Sequence, residues 1–136
     1  MMMLVRYYDR HGRPITRRVW QRLGARPEYA QLALHELTAD GSWPAQVPGV
    51  RLAGAHRVVV ATFWLGVVTD PRQRPPLIYR TVAGGYGPGE HPVTVQRWGW
   101  PTRTAARAGH GGVVAWLTGT AAAPPAPWPA LIAGSP

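Results

Sequence analysis

The sequence predicts an α+β domain: a small antiparallel β-sheet of about four strands with one helix near each end of the chain. Three observations carry that expectation. Runs rich in β-branched and aromatic residues, His56 to Thr69, Leu77 to Ala83 and Val93 to Trp100, are separated by turns rich in Gly and Pro. Two other stretches, Thr16 to Leu23 and Thr102 to Leu117, place a capping threonine ahead of apolar residues at helical spacing. A chain of 136 residues also fits one domain able to bury about two-thirds of its unfolded surface.

Taken in order, Leu4 to Tyr8 reads as a short strand, ended by a turn at Asp9-Arg10-His11-Gly12 in which Asp9 sets the bend. Thr16 caps the first helix, Ile15 staples onto Trp20, and Val19 and Leu23 share its apolar face before Gly24 closes it. Pro27 to Leu37 fits two patterns: Tyr29, Ala33, Glu36 and Leu37 a helical stripe, and Ala30, Leu32 and Leu34 one side of a strand. The favoured reading is a turn at Pro27 leading to a strand at about Gln31 to Thr38. Asp40 to Ala55, with Gly41, Pro44, Pro48, Gly49 and Gly54, is a long surface loop. His56 to Thr69 reads as one continuous strand, and its apolar run of eleven residues, Val58 to Val68, is about half a membrane span. It therefore belongs in a core.

After a turn with three prolines at Asp70 to Pro76, Leu77 to Ala83 is the returning strand. Gly84 to Pro92 is then a glycine-rich loop, and Val93 to Trp100 a last strand. The final helix packs Ala105, Ala106, Gly109, Val113, Trp116 and Leu117 inward, although Gly109, Gly111 and Gly112 weaken it. The core is expected to hold Phe63 or Trp64, with Leu65, Ile78, Val95 and Trp116. Residues 1–118 form the compact domain, and 119–136 an Ala- and Pro-rich flexible tail.

All fifteen basic side chains are arginine, and only six acids oppose them, leaving a net charge of +9. A GC-rich coding genome explains arginine in place of lysine, but not the excess of base over acid, which favours contact with an anionic partner such as nucleic acid or a nucleotide. Arg17, Arg18 and Arg22 lie on the wet side of the first helix, two of them in its first turn, where the helix dipole disfavours positive charge. Arg97, Trp98 and Trp100 combine a phosphate-gripping guanidinium with indoles that stack on bases. These six residues are the candidate anion-binding set. No helix-turn-helix, zinc-finger or RNP consensus accompanies them.

Several chemistries are disfavoured. There is no cysteine, hence no disulfide and no thiolate nucleophile. Without lysine, Gly84-Gly85-Tyr86-Gly87-Pro88-Gly89 lacks what a Walker phosphate loop requires. Ser42 and Ser135 fall in a loop and a tail, and no carboxylate pair has supporting spacing. Asp9 and His11 form a turn rather than a metal site, because no third ligand is indicated. His110 lies mid-helix and is expected to hydrogen-bond to a strand. No catalytic residue, metal or cofactor is assigned. Arg6, Asp9 and Arg10 interrupt the apolar core a signal peptide needs.

Tyr8-Asp9-Arg10-His11-Gly12-Arg13-Pro14-Ile15 with Trp20, Ala61-Thr62-Phe63-Trp64-Leu65-Gly66, Pro75 to Thr81, and Thr102 to His110 occur in this order over about half the chain. Together they resemble a family of small uncharacterised proteins of tailed phages and prophages, common among actinobacterial hosts. The resemblance implies a small antiparallel sheet with a helix near each end and brings no established activity. The chain departs from that pattern at the 40–55 loop, in the tail, and at Arg80, where an acid is expected. The leading expectation is a non-enzymatic phage-encoded accessory protein in the host cytoplasm, binding a host or viral partner and not a membrane. A virion or assembly component contacting phage structural proteins, and a small enzyme with an unrecognised site, are the alternatives.

Overall fold

Alternation along the strand Arg57–Trp64 decides the layering. Val58, Val60, Thr62 and Trp64 are buried, while Arg57, Val59, Ala61 and Phe63 are half-buried, so one face of this strand meets the core. The computed structural model describes residues 5–38, 57–70, 72, 75–86, 89 and 92–126. In chain order the elements are β1 (Arg6–Tyr8), β2 (Pro14–Ile15), α1 (Arg17–Gly24), α2 (Pro27–Ala30), β3 (Gln31–Thr38), β4 (Arg57–Trp64), β5 (Val67–Val68), β6 (Tyr79–Tyr86), β7 (Pro92–Trp100) and α3 (Arg103–Leu117). The fold is α+β, with antiparallel pairing throughout. A four-stranded sheet has the order β3-β4-β6-β7, and a three-stranded sheet the order β2-β1-β5.

α3 crosses the four-stranded sheet and touches every strand of it. Its buried residues are Ala106, Gly109, His110, Val113, Trp116 and Leu117, which is the expected face with His110 added and Ala105 at its rim. They meet Val58, Val60, Ala83, Trp98 and Trp100 in one core cluster. Each fully buried valine or leucine there contributes roughly 1.5–3 kcal/mol. Gly109 has a packing reason to be glycine: a Cβ at that position would lie 2.1 Å from the Trp100 ring. Thr102 caps α3 by accepting from the Ala105 N–H at 3.1 Å.

α1 is different, for none of its residues is buried. Thr16 caps it as expected, accepting from Val19 N–H at 3.2 Å. Its anchor is Trp20, whose indole N–H donates to the Leu65 carbonyl at 2.9 Å and whose ring lies 5.0 Å from that of Tyr7. The helix therefore sits against β1 at the Trp64 end of the large sheet, on α3's side. It does not cover the sheet.

Three expectations change. The strand expected at 56–69 breaks at Leu65-Gly66, and β5 pairs with β1 in the other sheet. Gly66 makes the break with φ of 67°, and a Cβ there would lie 2.3 Å from the Trp64 ring. Gly84 and Gly85 are strand rather than loop, paired with Val59 and Val58, because ladders on both sides hold them extended. Pro27 opens one turn of helix, α2, before β3. Of the expected core, Trp64, Ile78 and Trp116 are buried; Phe63 and Leu65 are half-buried, and the Val95 side chain is outside the described set.

The expected 40–55 loop lies outside the described residues, as does 127–136 of the tail. Residues 121–125 are not free of the domain. The Pro125 carbonyl accepts the Trp98 indole N–H at 2.9 Å, and Pro125 Cγ would stand 2.8 Å from a Cβ at Gly112.

Two alanine substitutions separate backbone strain from packing. Gly66→Ala is expected to lose roughly 2–5 kcal/mol, adding a left-handed backbone penalty to a clash with a buried indole. Gly12→Ala, at φ 79° but with nothing within 4 Å, should lose only about 1 kcal/mol. Urea unfolding followed by tryptophan fluorescence measures both.

Candidate functional site

Placing a histidine on the buried face of α3 requires partners for both ring nitrogens, since a buried polar atom left unpaired costs about 1–3 kcal/mol. The sheet supplies them. Thr62 Oγ1 on β4 lies 2.7 Å from His110 Nδ1, and His35 Nδ1 on β3 lies 2.7 Å from His110 Nε2. Thr62 Oγ1 is also 2.5 Å from Thr81 Oγ1 on β6, which accepts the Trp100 indole N–H from β7 at 2.9 Å. Thr62 and Thr81 are direct cross-strand partners, so the register alone brings their hydroxyls together. Thr62 and Thr81 have no exposed surface and His110 is 4% exposed, whereas His35 opens to solvent.

Donor counting gives this chain a direction. Indole nitrogen can only donate. The orientation that gives both threonine hydroxyls an acceptor within the chain runs from Trp100 to Thr81, from Thr81 to Thr62 and from Thr62 to His110 Nδ1. His110 then carries its proton on Nε2 and donates to His35 Nδ1. Every donor from the core to His35 is used once, and His35 presents its remaining Nε2–H outward. Burial, and secondarily the neighbouring His35, hold the His110 pKa below its ordinary value of 6.5, so the ring is neutral near pH 7. The arrangement fixes tautomers and ties α3 to all four strands. Its two hydroxyls are fully buried, and among the described residues no group of three or more His, Asp or Glu converges.

Each acid among the described residues has a partner. Asp9 Oδ1 accepts the backbone N–H of His11 and of Arg13, both at 2.9 Å, which makes it the expected turn former. Glu28 pairs with Arg26 at 2.8 Å, and Asp70 with Arg72 at 3.3 Å. The Arg26 hydrogen bond holds Glu28 below its ordinary pKa, and the Arg72 backbone N–H does the same for Asp70. Glu36 meets Arg57 at 3.3 Å.

The six candidate anion-binding residues do not form one site. Arg17, Arg18 and Arg22 are exposed on α1, with no acid in its first turn and no described carboxylate in ion-pair distance. Arg97 is exposed, but alternation points it away from Trp98 and Trp100. Those tryptophans are 3% and 5% exposed, and both indole N–H groups are committed within the fold. They are core struts, unavailable as stacking platforms. Composition could not separate the two roles; the β-alternation could, since Trp98 and Trp100 share one parity and Arg97 the other. An edge of Trp100 does line an open apolar groove of about 380 Å³ between α3 and residues 121–125, walled by alanine, glycine and proline.

The hydroxyl pair was not visible in the sequence, because nothing local to Thr62 or Thr81 marks them as partners. Comparison with protein-family models, with curated proteins and with solved structures finds no match to this chain. Among the described residues no helix is long and apolar enough to cross a membrane.

The buried chain makes two predictions. From pH 7 down to 5 the protein should lose stability: unfolding frees an imidazole that protonates near 6.5, while the folded one resists until lower pH. The stability present above the unfolded value is thus lost as pH falls, with a slope of at most about 1.4 kcal/mol per pH unit for one proton. Thermal melts of wild type and His110→Gln across that range should show the slope only in the former. Thr62→Val, close in shape but without the hydroxyl, should cost about 1–3 kcal/mol at pH 7 by urea titration, leaving His110 Nδ1 and Thr81 without their partner.

Proposed function

We propose that this chain is a non-enzymatic, phage-encoded accessory protein that binds a negatively charged host or viral partner in the bacterial cytoplasm. The observation that carries the reading is the ridge on α1. Arg18 and Arg22 stand one turn apart with Arg17 beside them, all exposed, and none meets a described carboxylate. Like charges one turn apart repel by a few tenths of a kcal/mol, roughly, and the dipole opposes two of them further. An anionic partner would relieve both terms at once. The phage origin is supported by the ordered segments from Tyr8-Asp9-Arg10-His11-Gly12 to the terminal Ala108-Gly109-His110.

The test is the triple variant Arg17→Gln, Arg18→Gln, Arg22→Gln. Circular dichroism and melting should be unchanged or slightly improved, since no residue of α1 is buried. Affinity for polyanions, measured by anisotropy with labelled nucleic acid and with heparin at two salt concentrations, should fall and become less salt-dependent. A folded variant that binds as wild type would remove α1 from the site.

A further inference from the structure

No described helix or strand packs on the face of the four-stranded sheet turned away from α3. α3 lies on the other face, with Val58, Val60, Trp98 and Trp100, and α2 joins it there through the edge-to-face contact of Tyr29 with Trp64. Among the described residues that face mixes apolar with charged side chains, where a solvated sheet face is ordinarily polar. Leu34, Ala61, Val82 and Arg97 form one row across all four strands by direct register. The next row sets Phe63 of β4 beside Arg80 of β6. Leu34 is 54% exposed, while Ala61, Phe63 and Val82 are half-buried. An exposed leucine beside half-buried apolar side chains, with arginines at their margin, is a combination suited to an interaction site.

Its charge selects the partner. Arg80 and Arg97 frame the apolar rows, and no described carboxylate is in ion-pair distance of either. The acid that shares this face, Glu36, is engaged by Arg57. A duplex would offer this surface phosphates alone, with its bases hidden. An unpaired strand offers both halves of the match: phosphates for two guanidinium forks, and base faces for Phe63 and the low floor of Ala61 and Val82. We propose that this open sheet face binds an unpaired segment of nucleic acid. The inference rests on the reading that the partner is anionic; it names its class and adds a surface separate from α1.

The experiment is fluorescence anisotropy of a labelled single-stranded oligonucleotide of mixed sequence, as DNA and as RNA, beside the same sequence as a duplex. Wild type, the α1 triple variant and the double variant Arg80→Gln, Arg97→Gln are titrated over a range of salt. The single strand should bind wild type more tightly than the duplex. The double variant should weaken single-strand binding about tenfold or more and flatten the log K against log salt slope by about 1.4, two contacts at 0.7 each. Duplex binding should respond to the α1 variant alone.

Equal wild-type affinity for strand and duplex, with the double variant unchanged, would overturn this inference and leave the α1 reading standing. No binding to nucleic acid or heparin at low salt would overturn both. Displacement by polyglutamate as readily as by unlabelled strand would assign the face to acidic protein and overturn it as well. If the double variant does not fold, Leu34→Glu places a negative charge on the exposed edge of the same face and should weaken the single strand as strongly.

Discussion

Docking α3 on its sheet buries an imidazole between two histidine and threonine contacts, and the geometry of the rest of the core follows from satisfying it. The hydroxyl of Thr62 must reach His110, so the helix is held at one height above β4. Thr81 must then sit directly across from Thr62, which pins the β4–β6 register, since a slip of one residue would turn its side chain to the other face. Trp100 closes the chain from the fourth strand, and its ring comes so near α3 that only glycine fits at position 109. Apolar burial supplies the larger share of stability. The polar chain adds specificity, because a one-residue slip between β4 and β6 would turn the Thr81 hydroxyl away from Thr62.

Tryptophan is used as a strut with a polar end. Trp20 reaches Leu65, Trp64 reaches Tyr8, Trp98 reaches Pro125, and each indole donates to a backbone carbonyl far away in the chain. Such links join segments with little regular structure to the sheet: β1 and its turn, the Leu65-Gly66 break, and the stretch after α3. Tyr79 does the same from β6, donating to the Arg10 carbonyl, and burial of its ring raises the pKa of its hydroxyl. A chain without disulfides thereby fixes its peripheral segments with directional bonds.

Much of the architecture was legible because its signals are local. Thr16 and Thr102 cap helices from the positions their side-chain chemistry suggests, β3 has the expected bounds, and α3 runs through three glycines because its buried face compensates for their low propensity. Gly66 and the pair Gly84-Gly85 show where local rules mislead. The first breaks an apolar run that periodicity treats as continuous, and the second stays extended only because neighbouring strands hold it. Site residues were harder still. Tryptophan beside arginine has one composition whether it stacks on a ligand or on a helix, and only the parity of β7 distinguishes them. The Thr62–Thr81 pair and the His35–His110 pair join residues 19 and 75 positions apart, a separation at which sequence carries no mark.

α1 has none of its eight residues buried; Trp20 and Leu23 hold it to the core as half-buried side chains, with the Trp20 indole donating to Leu65. Elements of that kind open locally at a small fraction of the free energy needed to unfold the whole domain. Amides in α1 are therefore expected to exchange through fraying of their own turn, and those of β4 and β6 through global unfolding. The guanidinium groups of Arg17, Arg18 and Arg22 thus ride on a helix that can be expected to fray before the sheet opens.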